Sequence, residues 1–485
     1  MIKFRNKKIF SFILVLIFFI MIISAATAAD NNTNSDMSDI QSVQAHTSIN
    51  KTTDDVNTQS QQKDIKDNTK KLDSPKKISN KETKKASYTV DNYDQLYNTI
   101  ESIKSSSETE TTINLNQGTY QVTNTINWTG SNTKTLTING NGQTIDGQNH
   151  QFITVAEGYT LNLKNLIINN CQASDGAVIY VNNSKLTVEN ITASHSGAFC
   201  YLNQGTVEIT NSSFKNHHAN NGGVNYVRPG TMTIVNSTFE NNNVDVDAGA
   251  NVNYGVMTII NSSFTNNTAL SKGGANWNDG NLTIEGCIFT NNSANQGGAN
   301  SNRNNKTIIN NSTFINNTAT EGGANYNYNN VNLVINNSNF TDNNATNGAV
   351  NYNSNAYLTI INSNFTNSNA TGNGSVNYNF GGNLNITDSN FTANVAHENG
   401  GVNYNQNLEY VVINNSVFEN NIAGLGNGGV NYNNNTSILN ITDSSFINNT
   451  AKNGSVNYNS NAVNINIKNS TFTLNHANEN WWSKL

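Results

Sequence analysis

The chain has 485 residues, of which 35% are hydrophobic and 12% are charged, and its formal net charge is −6. Globular proteins usually carry about 25% charged residues, and Asn, Ser, Thr and Gly take their place here. Most of the basic residues lie near the N-terminus. The remaining, acidic part therefore offers no electrostatic footprint for nucleic acid.

Residues 1–28 are predicted to be a secretory signal peptide. Basic residues at positions 3–8 precede an apolar run, Ile9–Ile23, and Ala26-Thr27-Ala28 is a suitable cleavage site. The alternative is an uncleaved anchor, although the apolar run is short for a membrane span. A signal peptide predicts a secreted protein that is located at the cell surface.

Residues 29–87 are polar, almost free of aromatic side chains and rich in Lys clusters. Such a segment cannot bury enough apolar surface to offset the entropy lost on ordering. We therefore expect a disordered linker or stalk. Its Lys clusters have two interpretations, contact with an anionic envelope polymer or simple solvation.

Residues 88–135 are predicted to form an N-terminal cap and the first strands. Asp91 is the expected N-cap of a short helix, because Leu96, Ile100 and Ile103 recur at helical spacing. This amphipathic helix would cover the open end of a stack of coils, which otherwise exposes unpaired strand edges.

Residues 136–485 are predicted to be a repeat array, because a phenylalanine returns every 25 to 28 residues. Its positions are Phe214, Phe239, Phe264, Phe289, Phe314, Phe340, Phe365, Phe391, Phe418, Phe446 and Phe472. A fixed period of this length is the signature of a solenoid.

Each repeat contains three short segments with the period-two alternation of β-strands. An apolar-x-apolar strand such as Leu384-Asn-Ile386 comes first, then the Phe strand, a Gly-Gly step and a third strand such as Val402–Asn405. No repeat has a segment long enough for a crossover helix. The prediction is an all-β fold, a parallel β-helix of about thirteen coils with about 25 residues per coil.

The third strand contains two neighbouring rows with different side chains. One row has Ile179 and Cys200 in early coils and then Asn225, Asn276, Asn300, Asn325, Asn351, Asn377, Asn403, Asn431 and Asn457. Its early apolar members predict that this row faces the lumen, where the asparagines would form an amide ladder. Alternation would turn the next row outward, and the opposite assignment, with tyrosines inside, stays open at this stage. We call this next row the aromatic strip: Tyr226, Trp277, Tyr326, Tyr352, Tyr378, Tyr404, Tyr432 and Tyr458.

The pairing of F-x-x-N, as in Phe264-Thr-Asn-Asn267, with G-G-A/V-x-Y resembles the repeat of polymorphic outer-membrane proteins. It is more similar still to the repeats of adhesin-like surface proteins of methanogenic archaea. This resemblance covers residues 88–485 and implies a secreted, pectin-lyase-like, right-handed β-helix. The chain departs from the family where Asn replaces the usual Ile after Gly-Gly-Val/Ala. Many relatives carry a C-terminal anchoring or wall-binding region, and the sequence up to Leu485 is not expected to form one.

Carbohydrate-active enzymes also use this fold, and they need clustered carboxylates, either beside the glycosidic bond or binding Ca²⁺ next to a base. Asp388 and Asp443 occupy the same position two coils apart, as isolated corner residues. Asp245 and Asp247 could bind a cation, but a solvated loop is the preferred interpretation. The sequence therefore predicts no enzyme, no cofactor and no metal.

Histidines and cysteines give no clear catalytic pattern either. His195, His217 and His218 have no carboxylate partner nearby in the repeat and are expected at the surface. Cys171 and Cys200 lie in consecutive coils, so that a disulfide is conceivable, but buried thiols are the preferred interpretation for all three cysteines, including Cys287.

The predicted function is that of a secreted, adhesin-like surface protein that binds glycans or envelope polymers through its aromatic strip. Aromatic rings stack on sugar rings, and amides bond their hydroxyl groups. An equally good interpretation is that the strip only stabilises the sheet by stacking between coils. The alternative functions are a passive structural or shielding protein, and a polysaccharide lyase or glycoside hydrolase. Numerous Asn-x-Ser/Thr sequons predict glycosylation.

The last repeat ends in Trp481-Trp482 where earlier repeats have Gly-Gly. If Asn480 is encoded by AAT, removing one T before the two Trp codons would restore Gly-Gly-x-Asn-Tyr. The hypothesis is that a frameshift truncates the array, and that the resulting open edge leads to end-to-end self-association.

Overall fold

The computed structural model describes residues 84–172, 177–220, 222–461 and 464–479. They form an all-β parallel solenoid of about 15 turns with about 25 residues per coil and one short helix. The predicted fold class is therefore confirmed. The predicted signal peptide, residues 29–83 of the predicted stalk and the frameshift hypothesis at residues 481–482 lie outside the described residues.

The solenoid starts earlier than the sequence pattern indicates. Its first strand, Lys85–Val90, pairs in parallel and in register with Glu110–Leu115, which pairs in turn with Thr135–Asn139. The repeat signal is weak here because these coils lack the Phe and Gly-Gly positions. The part expected to be a cap therefore contributes full coils, and ordered structure begins three residues before the expected Tyr88.

Helix α1, Tyr93–Ile103, is an excursion between the first two coils. Its N-cap is Asn92, whose side chain accepts a hydrogen bond from the Gln95 backbone N–H, so the predicted cap at Asp91 was one residue early. Leu96, Ile100 and Ile103 are buried as predicted. The amphipathic face of the helix therefore adds to the apolar core.

Each coil passes through up to four strand positions, which we name A to D in chain order. The single A strands are Lys85–Val90, Glu110–Leu115, Thr135–Asn139, Thr231–Val235, Val256–Ile260, Asn281–Glu285, Lys306–Asn310, Asn332–Asn336, Tyr410–Asn414, Ile438–Thr442 and Asn464–Lys468. The single B strands, which carry the phenylalanines in the later coils, are Thr119–Gln121, Thr144–Asp146, Ser213–Lys215, Thr238–Glu240, Ser263–Thr265, Ile288–Thr290, Thr313–Ile315, Asn339–Thr341, Asn364–Thr366, Asn390–Thr392, Val417–Glu419, Ser445–Ile447 and Thr471–Thr473.

The remaining strands are shorter or continue across a corner. The two-residue C strands are His218–Ala219, Asn243–Val244, Thr268–Ala269, Asn344–Ala345, Asn369–Ala370, Val395–Ala396, Ile422–Ala423, Thr450–Ala451 and His476–Ala477. The single D strands are Ile126–Trp128, Ile153–Val155, Asn225–Val227, Asn251–Asn253, Asn276–Asn278, Asn300–Arg303, Asn325–Tyr328, Asn403–Gln406, Asn431–Asn434 and Asn457–Ser460. Five strands cover more than one position: Thr160–Asn169, Ala177–Ser194, Ala198–Thr210, Asn351–Ile361 and Asn377–Thr387.

The lumen is filled by the Leu and Ile side chains of the A strands and the Phe side chains of the B strands. From Phe239 to Phe472, neighbouring phenylalanine rings stack 4.7–5.0 Å apart with interplanar angles of 3–8°. Offset stacking of this kind stabilises beyond simple burial. The B-strand phenylalanines from Phe214 to Phe446 are fully buried, whereas Phe472 in the last described coil is 40% exposed.

Asparagine is abundant partly because the corners on both sides of each B strand need a left-handed backbone. Asn362 has φ 45° and Asn367 has φ 54°, which Asn tolerates better than most residues. Asp388 (φ 53°) and Asp443 (φ 51°) occupy the same type of corner. Their place in the repeat is therefore explained by backbone conformation.

The first glycine of the Gly-Gly step is also required by the backbone. Gly400 has φ 70°, and a Cβ at this position would lie 2.3 Å from the Asn403 carbonyl oxygen. A side chain would collide with the backbone of its own turn.

The three cysteines are buried and free. Burial raises the pKa of the Cys171, Cys200 and Cys287 thiols to about 12. They are therefore unreactive lumen residues at neutral pH, and the conceivable Cys171–Cys200 disulfide is not formed.

Candidate functional site

The D strands place asparagines in the lumen and tyrosines outside, as the preferred assignment predicted. The asparagines from Asn225 to Asn431 are buried, and each donates from Nδ2 to the Oδ1 of the next coil at 2.8–3.0 Å. Asn251 belongs to this ladder, although it was absent from the predicted row. Apart from Asn225 Oδ1, which begins the ladder and has no partner among the described residues, the buried amides are thus satisfied by their own copies.

Two further internal amide ladders were missed. One runs two residues further along the D strands, from Asn302 to Asn459, with Nδ2–Oδ1 distances of 2.8 Å between neighbouring coils. The other uses the Asn of the F-x-x-N motif, as in Asn267, whose Nδ2 bonds Asn292 Oδ1 at 3.0 Å and the Phe239 carbonyl at 3.0 Å. Period-two alternation and the fixed F-x-x-N spacing were the signals that could have revealed them.

His217 occupies the F-x-x-N position of its coil, and the expectation that it lies at the surface was wrong. Its side chain is 1% exposed. Its Nδ1 donates to the Gly197 carbonyl at 2.9 Å, and its backbone N–H donates to Asn242 Oδ1 at 3.0 Å. His217 therefore begins the ladder that asparagines continue.

Stability is expected to decrease in acid because of His217. Burial lowers the pKa of this imidazole below its ordinary value of 6.5, so the unfolded chain takes up the proton first as the pH falls. The contribution of the neutral His217 side chain to the free energy of unfolding is complete above about pH 6.5 and is lost progressively below that pH. Urea unfolding at about pH 7.5 and about pH 5 measures how much unfolding free energy is lost in acid. This loss should be smaller in His217→Asn, which restores the F-x-x-N motif, than in the native protein. An equal loss in both proteins would contradict this explanation.

The other candidate polar residues are not brought together into a catalytic cluster. His195 and His218 are exposed as expected, but the expectation that His218 has no carboxylate nearby was wrong, because its Nε2 lies 3.7 Å from Asp245 Oδ2. Asp245 is exposed and Asp247 is partly buried. Within the described ranges, no group of three or more His, Cys, Asp or Glu side chains could hold a metal ion.

The aromatic strip runs along the outside of the D strands. Its tyrosines are partly buried, and Trp277 is 6% exposed. From Tyr326 to Tyr458 the rings form a continuous stack with centroids 4.7–5.4 Å apart. Tyr180 and Tyr201, which were absent from the predicted strip, extend it at its other end. Tyr180 stacks on Tyr201, and Tyr201 stacks on Tyr226.

This stacking changes what the strip presents to a ligand. Interplanar angles of 5–8° between the rings from Tyr352 to Tyr458 mean that each inner ring covers the face of its neighbour. The predicted stacking of sugars on open ring faces does not fit these inner members. The strip presents ring edges and hydroxyl groups, and its role in binding stays a prediction.

The hydroxyls of Tyr326 and Tyr404 remain protonated at neutral pH. Burial raises the pKa of Tyr326 and Tyr404 to about 12, with nearby Glu321 and Glu398 adding to the effect. The hydroxyls can therefore both donate and accept hydrogen bonds.

The stack is interrupted between Tyr226 and Tyr326, where the outward positions are Val252, Trp277 and Ser301. Tyr254 packs edge-on against Trp277 with ring centroids 4.9 Å apart. Lys272 reaches two coils along the solenoid, and its Nζ lies 3.3 Å from the Tyr328 hydroxyl. The missing ring at Ser301 leaves room for this crossing, so side chains of neighbouring coils fill the interruption.

A separate groove lies at the corner that follows the D strands. It has a volume of about 450 Å³ and is lined by Asn304, Asn329, Asn330, Asn355, Tyr357 and Gly382. The sequence analysis did not identify this groove.

Comparison with known proteins gives no assignment by sequence, because no protein-family model and no curated protein matches the chain. Among solved structures, the A-module of a mannuronan C-5 epimerase from Azotobacter vinelandii is similar. The two sequences are 11% identical, the TM-score is 0.27, and the match covers 79% of this chain and 94% of the epimerase module. A mannuronic acid-specific family 6 polysaccharide lyase from human gut microbiota has 12% identity, TM-score 0.25 and coverage of 79% and 82%, respectively. At this level of similarity, neither neighbour supports an activity for this protein.

The one helix among the described residues spans Tyr93–Ile103, and none there is long and apolar enough to cross a membrane.

Proposed function

We propose that this protein is a secreted, adhesin-like component of the cell surface that binds extended glycans or envelope polymers along its aromatic strip. The observation that carries the proposal is the unbroken row of outward tyrosines from Tyr326 to Tyr458. The signal-like N-terminus and the resemblance of the repeats to surface adhesins support secretion and surface display.

The geometry of the strip suits a linear ligand that lies parallel to the solenoid axis. Each coil from Tyr326 to Tyr458 contributes one hydroxyl and one ring edge, at a nearly constant spacing of 4.7–5.4 Å. A polymer with hydroxyl groups at regular intervals can bond to successive coils, and such multivalent contacts raise overall affinity. Glu321 and Glu398 lie near Tyr352 and Tyr404, so neutral polymers are better ligands here than polyanions.

A passive structural or shielding role is the second candidate. It is favoured by the same stacking, because rings that cover one another stabilise the sheet without any ligand. The two candidates differ in whether the tyrosine hydroxyls contact another molecule.

The triple variant Tyr352→Phe, Tyr378→Phe and Tyr404→Phe tests the proposal. Phenylalanine keeps the ring stack but removes three hydroxyls, so glycan-array binding should fall by about tenfold or more while thermal unfolding changes little. Replacing the exposed Asn364 by Ala gives a control outside the strip. Undiminished array binding by the triple variant would exclude the strip as the binding surface, and no binding by the native chain would favour the structural role.

A further inference from the structure

We infer that the corner groove next to the D strands is a second binding site, which takes a short neutral saccharide. It is lined by Asn304, Asn329, Asn330, Asn355, Tyr357 and Gly382, and its volume of about 450 Å³ lies within the range of small-molecule sites. The inference stands on this groove alone and does not depend on the proposed role of the aromatic strip.

The groove is opened by a local departure from the repeat. The corner residue after the D strand is an asparagine with positive φ at Asn355, Asn407 and Asn435, but a glycine at Gly381. Gly382, the next residue, also lacks a side chain, and a Cβ there would lie within 3 Å of Ala356 backbone atoms. Gly381 therefore lacks the side chain that neighbouring coils carry at this corner, and the Asn355 amide lies beside it, with Oδ1 2.4 Å from where a Cβ would be. Gly382 is required by the close approach of the Ala356 backbone.

The amides that line the groove have free hydrogen-bonding capacity. The side chains of Asn329, Asn330 and Asn355 are exposed and make no hydrogen bond with another described residue. By contrast, at the same corner further along the solenoid, Asn435 Nδ2 donates to Asn407 Oδ1 at 3.1 Å. Among the described residues, the groove corner thus lacks the amide–amide bond that Asn407 and Asn435 form.

Tyr357 supplies the open aromatic face that the inner members of the strip lack. Its side chain is 46% exposed, and within the described ranges no other aromatic ring packs against it. Phe380, which is 39% exposed, directly precedes the two glycines. An open phenol ring beside unpaired amides matches the apolar face and the hydroxyl groups of a sugar.

The electrostatics of the groove favour a neutral ligand. All six lining residues are uncharged, and the Asp279 carboxylate that accepts from the Asn304 amide at 2.6 Å is paired with Arg303, whose Nε lies 3.7 Å from Asp279 Oδ1. A charged sugar would therefore meet no unpaired charge of opposite sign among the lining residues.

Isothermal titration calorimetry of the full chain tests the inference. The neutral probes are hexasaccharides of β-1,4-linked glucose, mannose and N-acetylglucosamine, and the anionic comparison is a mannuronate hexasaccharide. At least one neutral probe should bind, and Tyr357→Ala should weaken this binding by about tenfold. Tyr410→Ala is the matched control, because Tyr410 occupies the same strand position two coils further on, is 36% exposed and lies outside the groove.

A second variant fills the groove and does not remove a contact. Gly381→Asn restores the corner asparagine of neighbouring coils, which tolerates the local φ of 72°. Its Cβ would lie 2.4 Å from Asn355 Oδ1, so the exposed Asn355 side chain must turn away, and the variant should abolish binding while the fold is kept. Failure of all neutral probes to bind, preference for the anionic probe, or equal effects of Tyr357→Ala and Tyr410→Ala would overturn the inference. Unchanged binding in the Tyr352/Tyr378/Tyr404 phenylalanine variant would show that the groove acts apart from the strip.

Discussion

Replacing Asn377 by alanine is expected to destabilise the solenoid by about 2–6 kcal/mol. Asn377 is fully buried in the lumen, where it accepts from Asn351 Nδ2 at 2.9 Å and donates to Asn403 Oδ1 at 2.8 Å. Alanine leaves one buried donor and one buried acceptor without partners, and each costs about 1–3 kcal/mol. Water cannot reach these amides to replace the lost bonds.

Asn364→Ala provides a matched control for this loss. Asn364 makes the same two axial bonds, with Asn339 at 3.0 Å and Asn390 at 2.9 Å, but it is exposed. Its removal should cost less than about 1 kcal/mol, because water replaces both partners. Urea unfolding combined with hydrogen exchange resolves the effect by coil, since long repeat arrays do not always unfold in one step. Similar losses in the two variants would mean that burial does not determine the strength of the ladder.

The fold could be predicted from the sequence because the 25-residue period and the alternation within strands have one cause. Both follow from the need to place apolar side chains in the lumen of every coil. A residue such as Phe391 must return to the lumen once per coil, and its neighbours in the strand must alternate between lumen and solvent. The luminal asparagines were predictable for the same reason, since Ile179 and Cys200 precede them in the same row. His217 was misplaced because residue type was given more weight than its position in F-x-x-N.

The binding surface was less predictable, because one-dimensional spacing contains no ring orientation. Tyr378 and Tyr404 recur at the coil period whether their faces are open or stacked, and only the structure shows the interplanar angle of 8° between them.

The corner groove was missed for a different reason. Gly381-Gly382 deviates from the repeat, whereas the sequence prediction was based on the residues that the coils share. In a solenoid, where shared residues maintain the fold, departures from the pattern are the better indicators of binding sites.

Phe365→Ala is expected to destabilise the protein by about 3–5 kcal/mol, because it opens a ring-sized cavity in the lumen. The Phe365 side chain is fully buried and stacks on Phe340 at 4.9 Å and on Phe391 at 4.8 Å, so both neighbouring rings lose a partner. Phe380→Ala is the control. Its ring is 39% exposed and points away from the lumen, and its loss should change stability by about 0.5 kcal/mol or less.

The position of the damage distinguishes a solenoid from a globular core. Because each coil contacts only its neighbours, Phe365→Ala should increase amide exchange most in the adjacent B strands, Asn339–Thr341 and Asn390–Thr392. Protection in the distant Ser213–Lys215 strand should stay close to that of the native protein. A uniform loss of protection along the whole array would show that the coils unfold as one cooperative unit. In that case a cavity in any coil would also disturb the aromatic strip and the corner groove.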